Sequence, residues 1–262
     1  MDLGLRGRAA LVTASSKGIG LAVATELARE GAKVMISSRR EENLRSAAAE
    51  IERKTGSKVL WRRADLTVKE DVEALARWAL EQGGVDILVF NTGGPKPGGF
   101  FTLSDGDWLQ AFELLLMSAV RLCRMLAPRM AERGWGRIVF VTSVAIKQPE
   151  PQIALSNVVR LSLAGLVKQL SAELARHNVL VNAVMPGLTL TQRLREYAEH
   201  LASQSGRQLA EVLEEMAEGS DVKRLAEPEE IAWAVAFLAS ERASFITGAV
   251  IPVDGGRIRC TL

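Results

Sequence analysis

The chain has little of several things. It holds two cysteines, one tyrosine and two histidines in 262 residues, and aromatic residues make up 5% of it. Two widely separated thiols, Cys123 and Cys260, provide neither a disulfide framework nor a CxxC metal site, so they are expected as free thiols and no resident metal is expected. Charge of neither sign dominates: 33 basic residues against 31 acidic ones leave +2, dispersed along the chain. That pattern argues against nucleic acid or an anionic membrane surface as partner and points to a small molecule. No apolar run approaches the roughly 18 residues of a membrane span. The apolar stretch after Arg6 and Arg8 is shorter than the ~7 residues of a signal-peptide core, so a cytoplasmic protein is expected. There is also no linker rich in Pro, Gly or Ser, and a single domain over residues 1–262 is expected.

What is present is an alternation. Seven short β-rich runs, at 9–13, 33–37, 58–61, 86–90, 137–141, 179–184 and 249–253, are separated by longer segments with helical periodicity. Apolar runs without strict alternation indicate strands buried on both faces. Right-handed crossovers then predict an α/β fold: a doubly wound, Rossmann-type parallel sheet of about seven strands with helices on both sides. The rhythm breaks between about 190 and 222, where polar helical sequence is inserted after a strand, as a substrate lid would be.

The first chemical motif is "TASSKGIG", Thr13 to Gly20, where the first strand meets the first helix. Open α/β sheets bind ligands at the carboxyl ends of their strands, and a glycine turn there presents backbone N–H groups to a pyrophosphate. Gly18 and Gly20 fit that role, with Thr13, Ser15, Lys17 and Ile19 around them; Ala14 stands where the first glycine is usual. About 20 residues on, an NAD site would place a carboxylate, whereas this chain has Ser37, Ser38, Arg39 and Arg40. Arginine favours a 2′-phosphate, so NADP(H) is expected in preference to NAD(H), with Lys17 adding charge nearby.

Further motifs follow in order: "ADLT" with Asp65 and Leu66, "NTGG" with Asn91 and Gly93, "GRIVFVTS" ending at Ser143, and "VNAVMPGLTLT" with Pro186, Gly187 and Thr191. Taken together, from Leu5 to Gly256, the chain resembles the short-chain dehydrogenase/reductases, and among them the 3-oxoacyl-(acyl carrier protein) reductase branch. The resemblance implies hydride transfer between a nicotinamide cofactor and a carbonyl or alcohol substrate, with Asp65, Leu66, Asn91, Gly93, Pro186, Gly187 and Thr191 at the cofactor. It also implies a homotetramer. The family uses a serine, a tyrosine 13 residues later and a lysine four beyond that, with an asparagine on the preceding helix completing a proton path. Ser143 is in place, but counting on gives Ser156 and Arg160, and Leu115 occupies the asparagine position.

A serine hydroxyl is a weaker acid and a shorter side chain than a tyrosine phenol, so Ser156 is not expected to protonate an alkoxide directly, although a water can bridge the gap. Arg160 can hold ribose hydroxyls but, being always protonated, cannot relay a proton. Losing general acid catalysis costs about 10²- to 10⁴-fold and leaves positioning and electrostatics in place. Tyr197, His200, Lys96 and Lys147 are the residues considered as replacement acids. Two expectations therefore stand: an atypical NADPH-dependent carbonyl reductase working through Ser143, Ser156 and Arg160, and a non-catalytic NADP(H)-binding homologue.

Overall fold

The computed structural model describes residues 2–261. Seven parallel strands form one sheet: β1 (Ala9–Val12), β2 (Lys33–Ser38), β3 (Leu60–Arg63), β4 (Ile87–Phe90), β5 (Gly136–Val141), β6 (Val179–Pro186) and β7 (Val250–Val253), in the order 3-2-1-4-5-6-7. The chain leaves β1 toward one edge and returns to add β4 on its other side, so the sheet has its switch point between β1 and β4. That crevice is where such sheets bind ligands.

Side chains alternate across each strand. Ala10, Val12, Ile36, Val89 and Val139 face one core layer, which they share with α1 (Gly18–Arg29), α2 (Glu41–Thr55) and α9 (Pro228–Ala239). Leu11, Met35, Leu88, Phe90 and Phe140 face the other, packed on α3 (Lys69–Glu81), α5 (Ser118–Glu132) and α6 (Ala154–Leu174). Because both faces are covered, β4, β5 and β6 are buried throughout. This explains why these strands read as largely apolar runs without strict alternation, interrupted by the buried Arg137 and Asn182.

The expected strand boundaries agree to within a residue or two. The largest difference is at β3, expected at 58–61 and found at Leu60–Arg63, because the Val59 N–H donates to Glu52 Oε1 and ties the preceding loop to α2 until Leu60 pairs with Met35. Among the described residues no helix is long and apolar enough to cross a membrane.

The inserted segment after β6 is a helical hairpin, α7 (Gln192–Ser205) and α8 (Leu209–Glu218). It has a small apolar cluster of its own, built on Ala198, Ala202 and Val212 with Leu201, Leu209, Leu213 and Met216 around them. α4 (Asp105–Phe112) runs into α5 through a π-helical turn, Glu113–Met117. A wide turn of this kind inside a helix frequently marks a functional site.

Candidate active site

The carboxyl ends of β1, β2, β4, β5 and β6 carry the residues singled out in the sequence. At the end of β1 the chain enters a left-handed bend, with Ala14 at φ +46° and Gly18 at φ +58°. Gly20 could carry no side chain, since a Cβ there would run into the Ala14 carbonyl and come within 2.8 Å of Asn91 Nδ2. Two of the expected cofactor residues have their hydroxyls engaged within the protein. Thr13 and Ser15 are fully buried. The Thr13 hydroxyl donates to the Asn91 carbonyl at 2.6 Å and accepts the Asn91 N–H at 2.9 Å, clamping β1 to β4. The Ser15 hydroxyl donates to the Val12 carbonyl and accepts the Ser37 N–H, holding the turn against β2. Both side chains shape the bed from beneath. The Leu66 side chain packs in the core beside α3.

The remaining expected residues line the cleft. Arg39 and Arg40 are exposed past the end of β2 and take part in none of the ion pairs among the described residues. Lys17 is exposed at the next strand end, donating to Gln192 Oε1 at 3.4 Å. None of these three cations pairs with a carboxylate among the described residues. Asp65 caps its own turn, accepting from the Thr67 N–H and hydroxyl through Oδ1. Asn91 donates to the Ala14 carbonyl, and the space above Gly93 is open. Past β6, Gly187 lies against Asp254, Pro186 ends the strand, and the Thr191 hydroxyl caps α7 by accepting the Leu194 N–H. The Thr191 methyl lies over Gly18, so the start of the hairpin meets the glycine turn.

Ser143 follows β5 and caps a short turn, accepting the Ala145 N–H at 3.2 Å; its own O–H remains free to donate. Ser156 and Arg160 lie one turn apart on α6, both buried. Arg160 Nε donates to Ser156 Oγ at 3.1 Å, Nη1 to the Val141 carbonyl at 3.4 Å, and Nη2 to Thr92 Oγ1 at 3.3 Å and the Gly93 carbonyl at 3.5 Å. Every acceptor is neutral. Burial, with the nearby charge of Arg193 adding to it, pushes the guanidinium down to about 10, still protonated at neutral pH.

At the family's asparagine position, Leu115 is fully buried in the π turn and packs with Ala111, Leu155 and Val159. The carbonyl freed by the wide turn, that of Leu114, accepts the Ser118 hydroxyl at 2.6 Å. An apolar cluster thus surrounds this position. None of the candidate replacement acids is buried: Tyr197, His200 and Lys147 are exposed, and Lys96 is paired with Asp107 at 3.0 Å. Asp107 itself is held down at about 2 by the Ser104 N–H and by Lys96.

Arg193, which the sequence reading did not single out, extends from the first turn of α7 onto Gly94, where no Cβ could coexist with it, and donates to the Pro95 carbonyl at 3.4 Å. The residue is exposed overall; partial desolvation of its guanidinium against the loop lowers its pKa, with Glu196 opposing the shift. The signal available in the sequence was its spacing: Thr191 caps the helix, which places residue 193 at the same end, facing the cleft. Two open clefts flank this region. One of about 200 Å³ lies between Gly18, Leu21, Thr191 and Pro228, and one of about 260 Å³ lies between Gly187, Leu188, Met216 and Asp254. Neither is lined by Ser143 or Ser156.

A sheet of this topology, with a glycine turn at its switch point and a serine beyond β5, defines the class of dinucleotide-binding oxidoreductases. The family profile described as enoyl-(acyl carrier protein) reductase matches residues 13–257. An uncharacterized oxidoreductase of Bacillus subtilis, YvaG, is 37% identical with 99% of each chain covered, and human dehydrogenase/reductase SDR family member 4 is 36% identical over 96% of this chain and 88% of that one. L-sorbose reductase of Gluconobacter frateurii, solved with NADPH and L-sorbose, superposes with a TM-score of 0.96 at 37% identity, covering 99% and 100% of the two chains. The chain belongs to the short-chain dehydrogenase/reductase family. Among its structural neighbours is also a 3-oxoacyl-(acyl carrier protein) reductase of Agrobacterium tumefaciens with NADP bound, with a TM-score of 0.89 at 30% identity, covering 97% of this chain and 96% of that one.

Proposed function

We propose that this protein is an NADPH-dependent carbonyl reductase in which Ser156 and the buried Arg160 replace the family's tyrosine and lysine, with Ser143 retained. The observation that carries this reading is the Arg160 to Ser156 hydrogen bond. The cofactor, when bound, supplies the hydride. Lys17, Arg39 and Arg40 hold its 2′-phosphate, the backbone of Gly18 to Gly20 its pyrophosphate, and Asn91, Gly93 and Thr191 its nicotinamide half.

Ser143 gives one lone pair to Ala145 and Ser156 one to Arg160, so each retains an O–H for the substrate oxygen. Donors aimed at a developing oxyanion are worth about 10²- to 10³-fold each. The Arg160 charge behind Ser156 strengthens that hydroxyl as a donor and stabilises the alkoxide. The final proton comes from water, since Leu115 closes the family's internal path. The α7–α8 hairpin acts as the substrate lid, with Thr191 at its hinge against the glycine turn.

Leu115 also favours a second reading, a homologue that binds NADP(H) without turning it over. Fluorescence titration and a carbonyl-reduction assay separate the two. NADPH is expected to bind with micromolar affinity or better, about −8 kcal/mol, and NADH more weakly. Replacing Arg39 and Arg40 with alanine removes most of that difference. Binding of NADPH without reduction of any carbonyl supports the second reading, and failure to bind either nucleotide overturns both.

The same reading takes the active form to be a homotetramer. Exposed apolar side chains on α4 and α6 (Leu109, Phe112, Val158, Leu161) and on α9 (Trp233, Phe237) support it. Sedimentation at the mass of four 28.4 kDa chains is the expected outcome.

A further inference from the structure

The reductase reading assigns Arg160 to the alkoxide but leaves unused its proximity to a second cation, Arg193, on the same loop. Arg160 is 8% exposed and bonds only to neutral oxygens. Charge-assisted bonds to anions are short, about 2.7–2.9 Å, whereas the four contacts of Arg160 run from 3.1 to 3.5 Å. Four contacts also leave one of its five N–H groups over. Buried charges are normally paired, because an unpaired one retains its full desolvation cost.

Arg193 adds a second cation nearby, one exposed to solvent. It approaches the same loop from the lid side: Arg160 donates to Gly93, and Arg193 covers Gly94 and donates to Pro95. Neither arginine takes part in an ion pair among the described residues. Glu196, on the same helix as Arg193, is the one carboxylate near enough to oppose the lowering of its pKa. Two guanidinium groups thus flank three residues, Gly93 to Pro95, that bring no charged side chain of their own. A neutral carbonyl substrate compensates neither charge.

We propose that the substrate is an oxo-carboxylate, its carboxylate bound by Arg193 beneath the lid and within the field of Arg160. This rests on the carbonyl-reductase reading and names its substrate class. The carbonyl carbon receives a hydride from the reduced cofactor and its oxygen a proton from water, giving a hydroxy acid and oxidised cofactor, and the carboxylate is unchanged. Closure of the lid and neutralisation of the cleft are then one event, since Arg193 belongs to α7.

The test compares 2-oxo and 3-oxo acids of four to six carbons with their methyl esters. It follows NADPH oxidation and, in parallel, NADPH binding in the absence of carbonyl. Acids are expected to exceed their esters in kcat/KM by about 30-fold or more, the range of a hydrogen bond to a charged group. In Arg193→Gln that ratio falls toward unity through KM, and Arg193→Lys restores part of it. Equal rates on acids and esters, reduction of neither, or an unchanged ratio in Arg193→Gln overturns the proposal. So does a loss of NADPH affinity in Arg193→Gln as large as the loss of kcat/KM, which would assign the pair to the cofactor phosphates. Failure of the wild type to bind NADPH overturns the reductase reading itself and is seen separately, in the titration.

Discussion

Replacing Arg160 with methionine should make the protein more stable. The guanidinium is buried and pushed down to about 10, chiefly by desolvation, which corresponds to roughly 3 kcal/mol against the charged form at neutral pH. The folded-state pKa lies below the unfolded one, so the unfolded chain binds more protons between about pH 10 and the ordinary arginine value. The penalty is therefore complete below pH 10 and relieved as pH rises through that window. At pH 7 all of it is present.

Against this stand four hydrogen bonds to neutral acceptors at 3.1–3.5 Å, long enough that each contributes about 0.5 kcal/mol or less. Methionine fills a similar unbranched volume without charge. The net expectation is a gain of about 1–2 kcal/mol, or a rise in thermal midpoint of ~2–8 °C for a chain of this size, measured by calorimetry at pH 7 without ligands. A midpoint below the wild type would refute the reasoning, because it would mean that the guanidinium braces the fold. A gain accompanied by loss of carbonyl reduction would show stability given up for function at this position.

Two further substitutions test the neighbouring features. Leu115→Asn restores the family's residue type, but into a cluster of Ala111, Leu155 and Val159; it should cost about 3 kcal/mol or more in urea unfolding and bring no gain in rate, since Ser156 leaves the relay nothing to serve. Ala14→Gly relieves a left-handed alanine at φ +46° and should raise stability by about 0.5 kcal/mol, read as a slightly higher thermal midpoint with NADPH affinity retained.

Much of this molecule is set locally along the chain. β4, β5 and β6 are legible as strands because residues such as Ile87 to Phe90 are apolar at every position, which is what burial on both faces requires. The glycine turn is equally local: Gly18 needs a positive φ, and Gly20 has no room for a Cβ, so their spacing shows in sequence. The spacing of Ser156 and Arg160 was enough to expect them on one face, because an α-helix places i and i+4 together. Their hydrogen bond is the direct consequence.

Only the tertiary structure decided the roles of several others. Thr13 and Ser15 read as ligand contacts, and their hydroxyls turned out to bond to β4 and β2, partners 78 and 22 residues away. Lys96, a free cation in sequence, is paired across a loop with Asp107. Arg193 is one arginine among many in a polar insertion until the hairpin folds back and lays it on Gly94. Periodicity and spacing report what a residue does within its own element. Whether a side chain ends in solvent, in a clamp or beside a second charge depends on which distant backbone comes to meet it, and that is settled by the order of strands in the sheet and the docking of the α7–α8 hairpin.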